Sequence, residues 1–398
     1  MISKSDWRDL AVFGGRPAFA EPQHVGRPNL GDREAFLGRV GDAFDRGRLT
    51  NDGPFVIELE SALAAELGVR NCVAVCNGTV GLEIAIRALD LRGEVIVPSF
   101  TFAATVHALE WMGVTPVFCD VEPETHNLDP ARVEALITSR TSALMGVHLW
   151  GQACSPERLA EIAGRHSFRL VYDAAHAFAC DHRGRRIGGF GDAEVFSFHA
   201  TKFFNSFEGG AVTTDDDELA GRLRLMRNFG FAGLDHIIEI GTNGKMNEIS
   251  AAMALTQLDD LGAMLAANRR TYLQYRDRLA DVPGLRLTSL DPDSNNCQYV
   301  VAVIDVRPGG MTRDAIVGIL RRENVLARRY FYPGIHRTAP YRARSHAPLP
   351  VTERLAETVL VLPGGALDPK VVDGICSLVE LALRNAEVIE AALSSGMV

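Results

Sequence analysis

Short apolar runs alternate with helix-length segments between residues 70 and 214. Several runs are apolar at every position, such as Val-Ile-Val at 95–97, and strands buried on both faces have this pattern. The expected strands are Cys72–Cys76, Glu94–Pro98, Thr115–Asp120, Ser142–Val147, Arg169–Asp173, Glu194–Phe198 and Ala211–Thr214. The pattern therefore predicts a large α/β domain with a mostly parallel seven-stranded sheet covered by helices.

Helical signals occupy the segments between these strands. Apolar residues recur at three- and four-residue spacing between residues 79 and 89. The dipeptides Asp129-Pro130 and Ser155-Pro156 each place an N-cap residue before a proline at the first helical position. Helices are therefore predicted over residues 79–89, 131–137 and 157–166.

The pattern changes after residue 245. From Asn247 to about Ala280 the chain is nearly all helix-forming, with Gly262 as the one interruption, and such a segment commonly bridges two domains. Short strand-like pieces follow at 298–304 and 325–329, with helices at 312–323 and from 369 to about 393. We therefore predict a large domain with an N-terminal arm over residues 1–265 and a smaller α+β domain over residues 266–398.

Composition narrows the class of protein. The chain has 398 residues, too many for one ordinary domain, and no run approaches the ~18 apolar residues of a membrane-spanning helix. A net charge of −9 without a basic face disfavours nucleic acid as a partner. The N-terminus does not resemble a signal peptide, and the seven cysteines lack metal or disulfide spacing. These features predict a cytoplasmic protein without a metal site, nucleic-acid partner or membrane partner.

Lys202 is the first candidate for chemistry. It follows the sixth expected strand and is flanked by Phe198, Phe203 and Phe204, whose apolar rings disfavour the ammonium form and lower the pKa of the amine. Schiff-base chemistry with a carbonyl requires a neutral amine. The alternative is an ordinary loop lysine.

Two further windows complement this lysine. Asp173 ends an apolar strand, at the edge where parallel sheets bind ligands, and a buried carboxylate needs a cation such as a protonated pyridine nitrogen. Gly78 and Thr79 lie where a strand turns into a helix, and their N–H and hydroxyl groups can hold a phosphate. Taken alone, Asp173 also fits the role of a helix N-cap, and Gly78-Thr79 also fits an ordinary turn. Their order before Lys202 suggests pyridoxal phosphate, with Phe102 stacked on its ring.

Longer motifs extend from residue 13 nearly to the end of the chain. They are FGGRPAF, CNGTVGL, PSFTFAATVHAL, VHLWGQ, DAAHA, SFHATK, FEGGAV, GTNGKMNEISAAMALTQL and YFYPGIH. In these motifs the chain resembles the sugar aminotransferases of the DegT/DnrJ/EryC1/StrS family, which are pyridoxal phosphate enzymes of fold type I.

The resemblance implies a role for each motif residue. Lys202 would form the Schiff base and act as general acid and base, and Asp173 would hold the pyridine nitrogen. His176 stands where many members have Gln, facing the cofactor's 3-oxygen. The other cofactor contacts implied are Gly78, Thr79 and Ser197 to the phosphate, Phe102 to the ring, and Asn243 and Lys245 from a partner subunit. A homodimer with shared active sites is therefore expected.

The loop around Lys202 also indicates the substrate. Members that aminate C4 of a keto sugar typically have Ser-Phe-His-x-x-Lys followed by Glu-Gly-Gly, as here, whereas C3 enzymes have a Tyr-Pro-Gly-Lys loop and Gly-Asp-Gly-Gly. The chain most resembles antibiotic-pathway enzymes that aminate dTDP-4-keto-6-deoxyglucose. We therefore expect a nucleotide-sugar aminotransferase that uses L-glutamate and yields dTDP-4-amino-4,6-dideoxyglucose. The alternatives are a C3 enzyme, a UDP-linked substrate or a cofactor-binding regulator, whereas the lysine disfavours a dehydratase, which has His at that position.

Substrate contacts are predicted in the same loop and in the small domain. Glu208 can hydrogen-bond its own loop or a sugar hydroxyl. Arginine suits a diphosphate because it forms bidentate hydrogen bonds, although solvated surface arginines are the alternative. The predicted contacts are His199, Glu208, Arg329, Tyr332 and His336.

Overall fold

The computed structural model describes residues 2–305 and 310–395. In this part of the chain the main sheet has seven strands, and each lies within one residue of its predicted ends. They are β1 (Asn71–Val75), β2 (Glu94–Pro98), β3 (Thr115–Cys119), β4 (Thr141–Val147), β5 (Arg169–Asp173), β6 (Ala193–Ser197) and β7 (Gly210–Thr214).

The strand order places the predicted site at one edge of this sheet. The order is β1-β7-β6-β5-β4-β2-β3, and only β7 runs antiparallel to its neighbours within this sheet. The carboxyl ends of β1, β5 and β6 therefore share an edge, and the loop that carries Lys202 leaves β6 there before the chain reverses into β7. The predicted mostly parallel sheet is confirmed.

Helices cover both faces of the sheet because successive residues of a strand point to opposite sides. Val73 and Val75 of β1 pack with the helices Gly78–Ala88 and Ala103–Trp111, whereas Cys72 and Ala74 pack with Pro54–Leu67 and Glu248–Asp259. Burying each such valine or leucine contributes roughly 1.5–3 kcal/mol. The remaining helices are Arg33–Arg46, Pro130–Val133, Pro156–His166, Asp217–Met226, Leu261–Leu279, Arg313–Arg322, Pro350–Thr358, Pro369–Arg384 and Ala386–Ser394.

Two long predicted helices are each divided in the structure. The segment 247–280 breaks at Asp260 and not at Gly262, which lies inside the second of the two helices. The C-terminal helix breaks at Asn385, whose side-chain amide donates a 2.8 Å hydrogen bond to the Leu381 carbonyl. Asn and Asp side chains compete with the backbone in this way.

The C-terminal region has its own antiparallel sheet and core. Its strands are β8 (Leu285–Leu287), β9 (Val300–Ile304) and β10 (Val359–Leu362), ordered β8-β9-β10. The predicted strand 325–329 is only two residues long, Val325–Leu326, and pairs in parallel with Gln23–His24. This sheet and the helices Arg313–Arg322 and Pro369–Arg384 form the core of the small domain.

The first part of the N-terminal arm packs with the small domain, whereas the helix Arg33–Arg46 packs with the large domain, within the predicted range 1–265. Leu10, Ala18 and Phe19 are buried in the small-domain core. The predicted boundary at residue 265 falls inside the helix Leu261–Leu279. Leu261 and Met264 in its first half pack in the large-domain core, and its second half packs in the small one. The helix therefore connects the two cores.

Within residues 2–305 and 310–395, no helix combines the length and apolarity needed to cross a bilayer. All seven cysteines are free thiols. The same residues contain no group of three or more His, Cys, Asp or Glu side chains placed to hold a metal ion.

Candidate active site

A cavity of about 530 Å³ opens at the sheet edge where β5 and β6 end. It brings together nine of the residues predicted from the sequence, although they are up to 130 positions apart along the chain. These residues are Gly78, Thr79, Phe102, Asp173, His176, Ser197, His199, Lys202 and Glu208.

Lys202 extends into this cavity from the loop that follows β6. Burial lowers the pKa of its amine from the usual value to about 8, while the negative charge of Asp173 acts in the opposite direction. The amine donates a 3.2 Å hydrogen bond to the Tyr299 hydroxyl. A substantial fraction of the amine is therefore neutral near pH 8, which is the form that attacks a carbonyl.

Asp173 is buried at the end of β5 and is held by neutral donors. Its carboxylate accepts a 2.7 Å hydrogen bond from the Thr105 hydroxyl and a 3.0 Å bond from the Ala175 N–H. Burial raises the pKa of Asp173, and these two hydrogen bonds and the charge of Lys202 offset part of that shift. The carboxylate forms no ion pair with the described residues, so it is available to a cationic ligand.

Thr105 was not predicted as part of the site. Its hydroxyl lies 2.8 Å from that of Thr101, which precedes the helix Ala103–Trp111, so the two threonines form a chain that ends on Asp173. Their place in PSFTFAAT, directly after an expected strand, was the available signal.

The turn after β1 offers backbone N–H donors at the position where the sequence predicted a phosphate contact. The Asn77 side chain caps the helix Gly78–Ala88 by accepting a 2.9 Å hydrogen bond from the Val80 N–H. The N–H groups of Gly78 and Thr79 belong to the first helical turn, where no intrahelical acceptor exists, and can bind a ligand anion. A Cβ at Gly78 would lie 3.1 Å from Cβ of Ser197, so glycine allows this turn to approach the end of β6.

His176 and Phe102 contribute two different surfaces to the cavity. The His176 ring is buried 4.4 Å from the Tyr299 ring, and burial holds the pKa of His176 well below its usual value. Its Nδ1 accepts a 3.4 Å hydrogen bond from the backbone N–H of Trp150. The neutral ring therefore carries its proton on Nε2 and can donate it to an oxygen. Phe102 is 59% exposed and presents an uncovered aromatic ring.

His199 and Glu208 lie close together in the lining of the cavity. Nε2 of His199 is 3.5 Å from Oε1 of Glu208, and both side chains are exposed. Nδ1 of His199 accepts from the Thr201 N–H at 3.2 Å, which directs the other ring nitrogen toward Glu208. Two polar groups that were predicted separately therefore form one pair.

The small domain contributes different residues from those predicted. Arg328 and Tyr330 line the cavity, whereas Arg329, Tyr332 and His336 do not. Arg329 is paired with Asp314 at 3.0 Å and lies over the Tyr332 ring, and His336 is buried against Ser99 at 2.7 Å. Adjacent residues of an extended segment point to opposite sides, so the sequence pattern identified the segment but not which of its side chains face the site.

Asn243 and Lys245 lie outside the cavity of their own chain. The Lys245 amine donates a 2.9 Å hydrogen bond to the Asn228 side chain, and Asn243 forms a backbone bridge with the same residue. Their expected contact with a partner's phosphate therefore stays a prediction.

The residues present fit a phosphorylated pyridine that carries a carbonyl group. The first helical turn offers N–H donors for the phosphate, and the unpaired Asp173 carboxylate suits a protonated ring nitrogen. The amine of Lys202, with its lowered pKa, suits the carbonyl.

Comparison with known proteins agrees with this geometry. The dTDP-4-amino-4,6-dideoxy-D-glucose transaminase of Shigella dysenteriae is 36% identical over 317 residues, 79% of this chain and 86% of that protein. The dTDP-3-amino-3,4,6-trideoxy-alpha-D-glucose transaminase of Micromonospora megalomicea subsp. nigra is 34% identical over 342 residues, 83% of this chain and 90% of that protein. The crystal structure of DesI in the presence of its TDP-sugar product is 48% identical with a TM-score of 0.93, covering 97% of this chain and 99% of that chain.

The predicted fold class is confirmed by this structural match and by the sheet order. The DegT/DnrJ/EryC1/StrS aminotransferase family matches residues 31–380, which include every residue that lines the cavity. The chain is therefore an aminotransferase and belongs to the DegT/DnrJ/EryC1/StrS family.

Proposed function

We propose that this aminotransferase uses pyridoxal phosphate to transfer the amino group of L-glutamate to C4 of a dTDP-4-keto-6-deoxyhexose. The product would be dTDP-4-amino-4,6-dideoxyglucose, an intermediate suited to antibiotic deoxysugar pathways. One observation carries the proposal: a cavity containing Lys202 and Asp173 in a chain 48% identical to DesI, whose structure was determined with a TDP-sugar product.

Each polar group of the cofactor has a matching residue. The N–H groups of Gly78 and Thr79 and the Ser197 hydroxyl would hold the phosphate, and Asp173 would pair with the ring nitrogen. His176 would donate to the ring oxygen and Phe102 would cover a ring face. When bound, the cofactor supplies an electron sink for the carbon that loses its proton.

Lys202 would move that proton. A pKa of about 8 is close to neutral pH, and a group with such a pKa serves both as base and as acid. The Tyr299 ring lies beside the amine and packs against Trp150, which stacks on Phe331 at 5.4 Å. These apolar walls exclude water and keep the amine from being permanently protonated.

The C4 assignment rests on the His199–Glu208 pair as well as on the relatives. The curated C4 and C3 transaminases are about equally similar to this chain, at 36% and 34% identity, so overall identity does not separate the two carbons. The sequence pattern typical of C4 enzymes places these two side chains 3.5 Å apart in the cavity lining. There they can bind the hydroxyls that fix the sugar's orientation.

A direct experiment combines the two half-reactions. Purified protein with pyridoxal phosphate is expected to convert L-glutamate to 2-oxoglutarate without any sugar. Adding dTDP-4-keto-6-deoxyglucose should then give a C4 amine, identified by NMR, and the matched 3-keto isomer and UDP-linked sugar should react more slowly. No 2-oxoglutarate would favour the regulator, and preferred reaction of either matched substrate would favour that alternative.

Arg328, and not Arg329, is proposed to bind the diphosphate. Arg328 lines the cavity, where its guanidinium lies 4.9 Å from the Tyr330 ring centroid, whereas Arg329 already pairs with Asp314. Arg328→Ala should raise KM for the nucleotide sugar roughly 10–100-fold, since a charged hydrogen bond contributes about 1.5–3 kcal/mol. Arg329→Ala is the matched control and should change KM little. The reverse result would return the assignment to Arg329.

A homodimer completes the proposal. The segment 229–240, which contains the short hairpin Phe231–Gly233 and His236–Ile237, exposes large apolar side chains, with Leu234 97% and Ile240 68% exposed. A patch of this kind marks an interface. It lies next in sequence to Asn243 and Lys245, the residues expected to reach a partner's phosphate. A monomer in sedimentation equilibrium at micromolar concentration would contradict the dimer.

A further inference from the structure

The Tyr299 ring enters the function proposed above only as part of the apolar wall, yet its hydroxyl contacts the Lys202 amine. It lies one residue before β9, so the small domain brings it to a lysine of the large domain. Its ring is buried 4.4 Å from the His176 ring and 5.4 Å from the Trp150 ring, both in the large domain. No sequence signal pointed to this residue, because the run 298–304 has the pattern of an ordinary buried strand.

A hydrogen bond joins these two groups across the domains. The Lys202 amine donates to the Tyr299 hydroxyl at 3.2 Å, and the amine lies 5.7 Å from the centroid of the same ring. An amine that donates to Tyr299 keeps its lone pair free to take a proton from elsewhere in the cavity. The hydroxyl can also accept from the ammonium form, and a hydrogen bond to a charged donor is the stronger of the two.

The charge state of Tyr299 suits this contact. Burial raises the pKa of its hydroxyl well above the usual value, and the charge of Arg328 offsets only part of that shift. Tyr299 therefore stays a neutral phenol over the working pH range. A neutral acceptor orients the amine and, unlike a carboxylate at the same distance, does not keep it fully protonated.

We propose that Tyr299 is a positioning residue that holds the Lys202 amine in place and stabilises its protonated form after it has taken the substrate's proton. The inference rests on the proposed function in one respect, the proton transfer by Lys202. It requires contact between the two domains, because the hydroxyl and the amine belong to different ones. Loss of the hydroxyl would leave the amine less well oriented and a weaker base.

Tyr299→Phe tests this inference, with Tyr275→Phe as the matched control. Tyr275 is a buried tyrosine of the small domain that does not line the cavity, and its hydroxyl has no hydrogen-bond partner among the described residues. Removing a hydrogen bond to a charged group should lower kcat of Tyr299→Phe roughly 10–100-fold and leave KM for both substrates nearly unchanged. Tyr275→Phe should keep the wild-type kcat.

A second readout needs neither substrate nor cofactor. The chain has four lysines, Lys4, Lys202, Lys245 and Lys370, so 13C at lysine Cε gives four NMR signals, and Lys202→Ala identifies the one from Lys202. The pKa of Lys202 should fall below the wild-type value of about 8 in Tyr299→Phe and stay near it in Tyr275→Phe. The other ionisable groups that face the amine are Asp173, His176 and Tyr330, with Arg328 beside Tyr330, and both variants keep all of them.

The outcomes separate this inference from the proposed function. A wild-type kcat, an unchanged lysine pKa, an effect confined to KM, or an equal effect in Tyr275→Phe would each overturn the role of Tyr299. If the wild-type protein does not aminate a nucleotide sugar, the proposed function fails and the lysine titration still decides the role of Tyr299. Each titration is run below the unfolding temperature of its variant, measured by circular dichroism, so that a loss of fold is not mistaken for a shift in pKa.

Discussion

The cavity and the N-terminal arm each contain a buried carboxylate and a lysine, but they use them in opposite ways. In the arm, the amine of Lys4 contacts the carboxylate of Glu323 at 2.7 Å, and Glu323 also accepts the N–H groups of Ala11 and Ala18. In the cavity, no ion pair joins Lys202 to Asp173 within the described residues. Each of these two is held by neutral hydroxyl or N–H groups.

The difference shows how one pair of residue types serves structure or chemistry. A joined pair offsets the cost of burying both charges, and nothing is left for a ligand. When the pair is separated, the cost of burying each charge remains. It appears as a lowered pKa for the Lys202 amine and a raised pKa for the Asp173 carboxyl. A ligand with a carbonyl and a cationic ring nitrogen would relieve both. The comparison can be tested by removing one member at a time.

Exchanging the two lysines for alanine should give the largest contrast. Lys202→Ala should abolish transamination, by at least roughly 10⁴-fold, because it removes both the Schiff-base amine and the general base. Lys4→Ala should keep kcat and lower the unfolding temperature, since it leaves Glu323 buried without a cation. Steady-state kinetics of both variants measure kcat, and thermal unfolding measures their unfolding temperatures. Residual transamination by Lys202→Ala would contradict its central role.

Asp173→Asn should give the next largest effect. Loss of the charge opposite the ring nitrogen is expected to lower kcat roughly 10²–10³-fold, the effect of removing one strong electrostatic partner. Without cofactor the variant should be no less stable than wild type at pH 7. Burial raises the pKa of Asp173 in the folded state, so ionisation above that pKa destabilises the fold, and asparagine does not ionise. A large drop in unfolding temperature would mean that Asp173 is structural.

Glu323→Gln should have the smallest effect of the three and should affect stability alone. The amide keeps its size but loses the charge opposite Lys4, which should cost about 2–3 kcal/mol of unfolding free energy in urea titrations. Glu58→Gln, at an exposed position, is the control and should change the free energy by less than about 0.5 kcal/mol. A loss of kcat without loss of stability would contradict the structural role of Glu323.

The strands and the site residues that follow them could be predicted from the sequence because their signals are local. Continuous apolar runs fixed β1–β7 to within one residue, and the parallel order brought Asp173 and Lys202 to the same sheet edge. Tyr299 and Thr105 were missed, since their roles come from packing between distant segments. Arg329 was chosen over Arg328 because the residue pattern does not show which neighbouring side chain faces the cavity.

The packing of the first part of the arm could not be predicted for a related reason. Hydrophobic periodicity located the long helical segment, but it did not show that Leu10, Ala18 and Phe19 pack in the core formed by the last third of the chain. A contact over about 300 positions leaves no local trace in the pattern of either segment. The arm was assigned to the large domain because it comes before that domain in the sequence. Packing does not follow this order, because Leu10, Ala18 and Phe19 lie in the small-domain core.

The position of the arm also sets the order in which the protein can be completed during synthesis. Leu10, Ala18 and Phe19 leave the ribosome first, yet Glu323 and the helix Pro369–Arg384 that surround them are made last. The large-domain sheet, complete at residue 214, can form while the arm still has no partner. The small-domain core closes only at the end of translation, and with it Tyr299 reaches Lys202. Lys202 is therefore enclosed last, after the surface proposed to bind the cofactor exists.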